Sequence, residues 1–340
     1  MDNTTQTDII QDQEILRAQA LEHVQARKWQ EAIQVFTRLL EIDQADEESA
    51  LGLALAMDKV GRYEKMYEVA QLVIERNPSS AQGLAYKARA LQKLERISEA
   101  TIANDQALLL DTHLALAWLN RSGLQILQQR FPEALRSALH AIELDTDDAR
   151  AWINKGMALL NLNHLLEALA AIEQGLTFEP DYLFALQMKA EILRRLARMQ
   201  EVVTTMRQAL ELVPEDVVSL SIMAQALRAL GEHEPLQQIT GELVRLTPDD
   251  LLAWEMHMRA LRGLGRFEEA AEAIEHVLEL DPHNVRFWTI KADTLYRLGR
   301  YRESARIANH AMQVDADYRP AQRLHEKAVK MMYQHKEKRK

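Results

Sequence analysis

Residues 251–284 read LLAWEMHMRALRGLGRFEEAAEAIEHVLELDPHN. Trp254, Met258 and Leu261 stand at i, i+4 and i+7, one face of a helix. Gly265 interrupts that pattern. Phe267, Ala270, Ile274 and Val277 then form a second helical face, which Asp281-Pro282 ends. The stretch is a helical hairpin. One hairpin cannot bury its apolar stripe alone, so it requires neighbours stacked against it.

Those neighbours recur at a fixed step. Trp118, Trp152, Trp254 and Trp288 are separated by multiples of 34, and Leu186 and Leu220 fill the places between. A second column at the same step reads Ala20, Ala54, Ala88, Ser122, Gly156, Ala190, Ala224, Met258 and Ala292. A third reads Trp29, Tyr63, Ile97, Phe131, Leu165, Met199, His233, Phe267 and Tyr301. A fourth reads Ala32, Met66, Ala100, Ala134, Ala168, Val202, Leu236, Ala270 and Ser304. Nine units fit without a gap: 13–46, 47–80, 81–114, 115–148, 149–182, 183–216, 217–250, 251–284 and 285–318. Small residues in the second and fourth columns let paired helices approach closely, and the large residues fill the space beside them. Residues 319 to about 335 continue the pattern of a first helix without a partner and are expected to cap the array, giving nineteen helices in an all-α chain.

Composition agrees. The chain has 340 residues, 47% hydrophobic and 27% charged, enough apolar surface for a core. Eleven Gly, eight Pro and 6% aromatics favour helices over a sandwich with many tight turns. Cys is absent, which excludes disulfides, thiolate zinc sites and a Cys nucleophile. The net charge of −10 makes the whole a poor ligand for nucleic acid or an anionic membrane. Residues 1–12 are polar and acidic, unlike a secretory signal, and read as a disordered tail. No apolar run is long enough to span a bilayer, so a cytoplasmic location is expected. Residues 319–340 hold eight Lys/Arg against two acids; the bland reading, a solvated helix end, is preferred over phosphate or lipid contact.

The period and the Trp, small, aromatic, Ala and Pro columns resemble the tetratricopeptide repeat over residues 13–318. The resemblance implies a right-handed α-solenoid superhelix whose concave groove binds peptides. Pro is missing from the closing column at Gln44, Thr112, Thr146 and Ala316, and Met66, Val202 and Leu236 replace the contact Ala. Val202 and Leu236 fall in consecutive repeats, where Met199 and His233 also replace the aromatic, so a loosened joint is expected between about 197 and 240. Pro132 and Pro235 fall in the first turn of second helices, where a missing N–H costs little.

Helical geometry turns positions 4, 7, 8 and 11 of each first helix inward and positions 2, 5, 9, 12 and 13 away. The latter line the groove in the family. Repeats 4 and 5 with the start of 6 place Leu116, Leu119, Ile126, Leu127, Ile153, Met157, Leu160 and Phe184 there, an expected apolar hot spot, with burial by a tight superhelix as the counter-reading. Repeats 6–9 place Arg194, Arg195, Arg228, Arg259, Arg262, Arg286 and Arg297 there, with Glu191, Glu255 and Asp293 interspersed and able to neutralise some of them. Arg194, Arg228 and Arg262 repeat at one position. Helices about 10 Å apart would make them rungs for every third residue of an extended acidic or phosphorylated segment.

The Lys and Asn clamp of chaperone-binding members is absent: Arg17 and Leu21, Leu51 and Leu55, and Ala85 and Arg89 hold those positions. The Asn column of the O-linked GlcNAc transferase superhelix is reduced to Asn120 and Asn154. There is no phosphate loop, nucleophile elbow or His pair at helical spacing, so neither a catalytic site, a metal nor a cofactor is expected. The expected function is a non-catalytic scaffold or adaptor holding an acidic, partly apolar protein segment. The alternative is a regulatory subunit that binds a phosphorylated or nucleic-acid ligand through the arginines.

Overall fold

The 34-residue step resolves into two helices and two turns. A computed structural model describes residues 3–337, with side chains described from 12 to 334. Met1 and Asp2 of the expected tail, and Lys338, Arg339 and Lys340 of the basic end, lie outside the described residues. Five hairpins form one compact unit, Met1–Pro180. Their first helices are α1 (Asn3–Gln25), α3 (Glu47–Lys59), α5 (Ala81–Lys93), α7 (Ala115–Leu127) and α9 (Ala149–Asn161). The matching second helices are α2 (Trp29–Ile42), α4 (Tyr63–Arg76), α6 (Ile97–Leu110), α8 (Phe131–Leu144) and α10 (Leu165–Phe178). Four hairpins and a last helix form the other unit, Asp181–Lys340. Its first helices are α11 (Leu183–Arg195), α13 (Val217–Leu230), α15 (Leu251–Gly263) and α17 (Val285–Arg297). Its second helices are α12 (Met199–Leu212), α14 (His233–Leu246), α16 (Phe267–Leu280) and α18 (Tyr301–Val314), and α19 (Arg319–Glu337) follows. No strand occurs among the described residues.

Residues 3–12, read from sequence as a disordered tail, belong to α1. No Gly or Pro interrupts residues 3–25, so nothing in the sequence stops the first helix of repeat 1 from running back beyond Gln13.

Each hairpin turns on one residue in the left-handed region: Arg27, Gly61, Glu95, Gln129, Asn163, Ala197, Gly231, Gly265 and Gly299, with φ between 55° and 74°. The next N–H reaches back into the last turn, as Arg62 N to Met57 O and Arg266 N to Leu261 O, both 2.9 Å, which satisfies a helix-end carbonyl. First helices are started by side chains of Asp46, Ser80, Asp148, Asp216, Asp250 and Asn284 accepting from backbone N–H groups. Pro132 and Pro235 sit in the first turns of α8 and α14.

The two contact columns are sealed in all nine hairpins, Met66, Val202, Leu236 and Met258 included. At Gly156 the approach is close: an added Cβ would lie 2.6 Å from Ile172 Cδ1 and 3.2 Å from the Ala168 carbonyl of α10. Along the chain, the division into units falls between Pro180 and Asp181, ahead of the 197–240 stretch where bulky substitutions suggest a joint.

The left-handed column gives a direct test. Ala197 holds φ 56°. A Cβ in that region costs about 1–2 kcal/mol, partly offset by the chain entropy that glycine adds to the unfolded state. Ala197→Gly is expected to stabilise by about 0.5–1 kcal/mol in urea unfolding. Gly265→Ala, whose new Cβ has nothing within 4 Å, is expected to destabilise through φ alone by about 1 kcal/mol.

Candidate functional site

The apolar zone expected in repeats 4 and 5 is largely interior. Leu119, Ile153 and Leu160 are 3%, 2% and 4% exposed, which corrects their assignment to an open groove wall. Leu116, Ile126 and Met157 are half-buried, and Leu127, with Phe184 at the start of repeat 6, is exposed. First helices bury a wider arc than positions 4, 7, 8 and 11. Helix α7 packs on its own second helix α8, on the preceding second helix α6 and on the first helices α5 and α9 to either side. Leu119 accordingly belongs to a cluster with Ala141 and Ile142 of α8 and Ala151 of α9. Ile153 lies against Gly175 of α10, whose lack of a side chain makes the room.

Polar groups close the same region. Asp58, at the end of α3, is buried and accepts from Arg89 Nε of α5 at 3.1 Å and from Arg150 Nη1 of α9 at 2.9 Å. Arg150 also forks onto Asp148, with Nη2 to Oδ2 at 2.7 Å and Nε to Oδ1 at 3.0 Å. These bonds tie repeat 2 to repeat 5 across the two between them. Lys59 and Glu179, 3.5 Å apart, add a further tie. Burial pushes the Asp148 carboxyl up, but the Arg150 guanidinium outweighs it and holds the group below the usual carboxylate range. Burial, followed by the charge of Asp58, pushes the Tyr86 hydroxyl up to about 12. Asn120 and Asn154 are also used within the fold: Asn120 Nδ2 donates to Ala85 O at 2.8 Å and Asn154 Nδ2 to Ser122 Oγ at 2.8 Å.

In the unit from Asp181 onward, six of the seven arginines divide three carboxylates among them. Glu191 accepts from Arg194 Nε at 2.8 Å and Arg195 Nε at 3.0 Å. Glu255 accepts from Arg259 at 2.6 Å, and Arg286 of the next first helix approaches it to 3.8 Å. Asp293 accepts from Arg297 at 3.0 Å and also from Arg262 of the preceding first helix. Arg228 is exposed and has no side-chain partner among the described residues. Seven guanidiniums less three carboxylates leave four positive charges on the face. Burial pushes Glu191 up, but its two arginines overcome that and hold it below the ordinary range. Arg262 is held below the usual arginine value, chiefly by burial, and its Nε donates to nothing.

An apolar row accompanies the arginines. Phe184, Val218 and Leu252 occupy position 2 of three consecutive first helices and are 40%, 53% and 43% exposed. The arginine position lies ten residues further along each helix, about 15 Å.

Profiles of the tetratricopeptide repeat match residues 16–50, 149–182 and 256–318. Among solved structures, the chain is similar to one from the functional characterization of Pseudomonas aeruginosa pilF. That match has TM-score 0.54 and 20% identity, and covers 64% of this chain and 98% of that one. The chain is a tetratricopeptide repeat protein. It is also similar to MamA from residue 41 onward of Desulfovibrio magneticus RS-1, with TM-score 0.45, 19% identity and coverage of 51% and 97%. A third similar structure is TTC0263, a thermophilic tetratricopeptide repeat protein of Thermus thermophilus, with TM-score 0.46, 21% identity and coverage of 53% and 98%. No curated protein matches the sequence. Tetratricopeptide repeats are protein–protein interaction scaffolds, and generally non-catalytic ones. No described helix of this one is long and apolar enough to cross a membrane.

Val218 and Leu252 escaped the sequence reading although they share the register of Leu116 and Phe184, so the signal was present in the repeat. The Asp58–Arg150 pair had no such signal. It depends on how far the first five repeats of this tetratricopeptide array curl.

Two measurements test the closed region. Asp58→Ala leaves Arg89 without a carboxylate and Arg150 with Asp148 alone, and is expected to cost about 3 kcal/mol in urea unfolding. The lowered Asp148 contributes stability that is complete above its unfolded pKa and lost as pH falls through its lower folded value, so its share declines from about pH 4 downward. Tyr86 has the opposite sense. The folded state holds its proton longer, so stability falls as pH rises from about 10 toward 12. A tyrosinate absorbance titration should show one hydroxyl ionising about two units late, and Tyr86→Phe should remove it.

Proposed function

We propose that the protein is a non-catalytic adaptor that holds an extended, acidic and partly apolar protein segment on the first-helix face of repeats 6–9. The observation that carries this reading is the shared carboxylate. Each of Glu191, Glu255 and Asp293 stands between two arginines, so it orients them while cancelling only one charge. The arrangement keeps guanidinium forks pointed and partly desolvated, with Arg228 unpaired in the middle of the run. A carboxylate arriving from a partner completes the second half of each pair. Phe184, Val218 and Leu252 supply apolar contact for residues between or beside the acids. The half-buried Leu116, Ile126 and Met157 and the exposed Leu127 are left out of this site, because the interior residues around them belong to the fold of the other unit.

A phosphorylated segment uses the same forks and is a variant of this reading. A nucleic acid is disfavoured by the three carboxylates themselves, which would repel a continuous phosphate backbone. A cytoplasmic location accords with an adaptor role.

The test is a fluorescence titration of the full chain with a labelled peptide carrying Asp at every third residue and Leu between. Arg194, Arg228 and Arg262 together changed to Glu are expected to weaken binding at least tenfold and to flatten its dependence on salt, with the helical melting curve little changed. A Phe184→Asp, Leu252→Asp pair should weaken the peptide at high salt as well as low. Equal binding by wild type and the arginine variant would refute the site.

A further inference from the structure

The fourth position of each hairpin has one structural job. In four repeats it is tryptophan, and each indole is seated alike. Trp118 Nε1 donates to Thr112 O, Trp152 to Thr146 O, Trp254 to Pro248 O and Trp288 to Pro282 O, all at 2.8 Å. The carbonyl belongs each time to the loop before the helix that carries the indole. The following second helix flanks the ring: His140 meets Trp118 edge-on with centroids 4.5 Å apart, and His276 stacks on Trp254 at 4.2 Å. Gln322 of α19 sends its Nε2 to the same loop carbonyl, Ala316 O, at 2.7 Å. Four further repeats put leucine here, Leu16, Leu84, Leu186 and Leu220, all buried.

Repeat 2 alone has a small residue at this position, Ala50. Around it lies a cleft of about 740 Å³ lined by Leu40 and Gln44 from the end of α2 and its loop and by Val69, Leu72 and Val73 of α4. Three positions of the lining match the seat of Trp118 in register. Leu40 stands in the register of Leu108, Leu72 in that of His140, and Gln44 supplies the carbonyl that Thr112 supplies there. No hydrogen bond ends on Gln44 O among the described residues.

We infer that this cleft is a tryptophan seat left open for a partner: it takes an indole from a protein segment, ring against Leu72 and Val73, with Nε1 donating to Gln44 O. The charge at its rim narrows the partner further. Asp46 is engaged by Arg17 at 2.8 Å and Glu47 by Asn77 at 2.9 Å. Arg76, the third charged residue of the lining, is exposed and has no ion pair among the described residues. The complementary segment therefore carries an acid next to its tryptophan. A cleft of this volume lies within the range that binds compact ligands and buries most of their surface. The site is independent of the arginine face and stands or falls separately from it.

The probes are two blocked peptides, acetyl-Gly-Trp-Asp-amide and acetyl-Gly-Ala-Asp-amide, titrated into the full chain by calorimetry and ligand-observed NMR, with free indole as a third arm. The tryptophan peptide is expected to bind at least tenfold tighter than the alanine one and tighter than free indole. Ala50→Trp, which fills the seat from within, should abolish that preference and raise the melting temperature. Leu72→Glu alters an exposed wall, keeps the fold, and should also abolish it, so the test survives a failure of Ala50→Trp to fold. A preference that persists in Leu72→Glu overturns the inference, as does equal binding of the tryptophan and alanine peptides. Free indole binding as tightly as the tryptophan peptide overturns the protein partner.

Discussion

The closeness of two helices at a pair of small side chains governs this molecule. In every hairpin the residue at the eighth position of the repeat and its counterpart on the second helix are buried together, and in most repeats both are Ala, Ser or Gly. Close approach fixes where the remaining side chains can go. Large residues are pushed to the flanks, where they fill the seams between repeats, and the tight turn between helices demands one left-handed residue each time. Four of those nine turns use Gly and five do not, so packing rather than turn chemistry enforces the geometry. The array tolerates Met66, Val202, Leu236 and Met258 in the contact columns because bulk there is enclosed rather than expelled.

The same constraint separates what the sequence discloses from what it does not. Helix positions, the capping helix and the two first-turn prolines follow from period and residue type, since these are local properties repeated nine times. The outward set was harder. A single helical wheel assigns one buried arc, whereas an inner first helix such as α7 meets four neighbours, and Leu119 and Ile153 fall in the added sector. Long-range curvature is less accessible still. Asp58 and Arg150 are ninety-two positions apart, and nothing in either repeat marks them as partners. The seat at Ala50 lies between these cases. Its column is visible in the sequence, but only the indole hydrogen bonds and the cleft reveal what the missing side chain would have done.

Charge is distributed with similar economy. Exposed second helices often begin with an arginine paired to a glutamate three residues on, as Arg96 with Glu99 and Arg300 with Glu303; such pairs add little stability and keep the outer face mixed in sign. On the first helices of repeats 6–9 the ratio changes: arginines outnumber their carboxylates, so the net-negative chain presents a locally positive face. Asp58 shows the opposite arrangement, one buried carboxylate shared by two arginines of other repeats and turned to cohesion rather than recognition. Which use a shared carboxylate serves is decided by solvent access.

The most direct measurement of the recognition claim is an NMR titration of arginine Nε–Hε signals in the full chain with an acidic, leucine-containing peptide. The signals of Arg194, Arg195, Arg228, Arg259, Arg262, Arg286 and Arg297 should shift together and saturate at one equivalent, while those of Arg96, Arg266 and Arg300 at second-helix starts stay in place. Uniform shifts across all arginines, or shifts confined to the second-helix set, would contradict a binding face on the first helices of repeats 6–9.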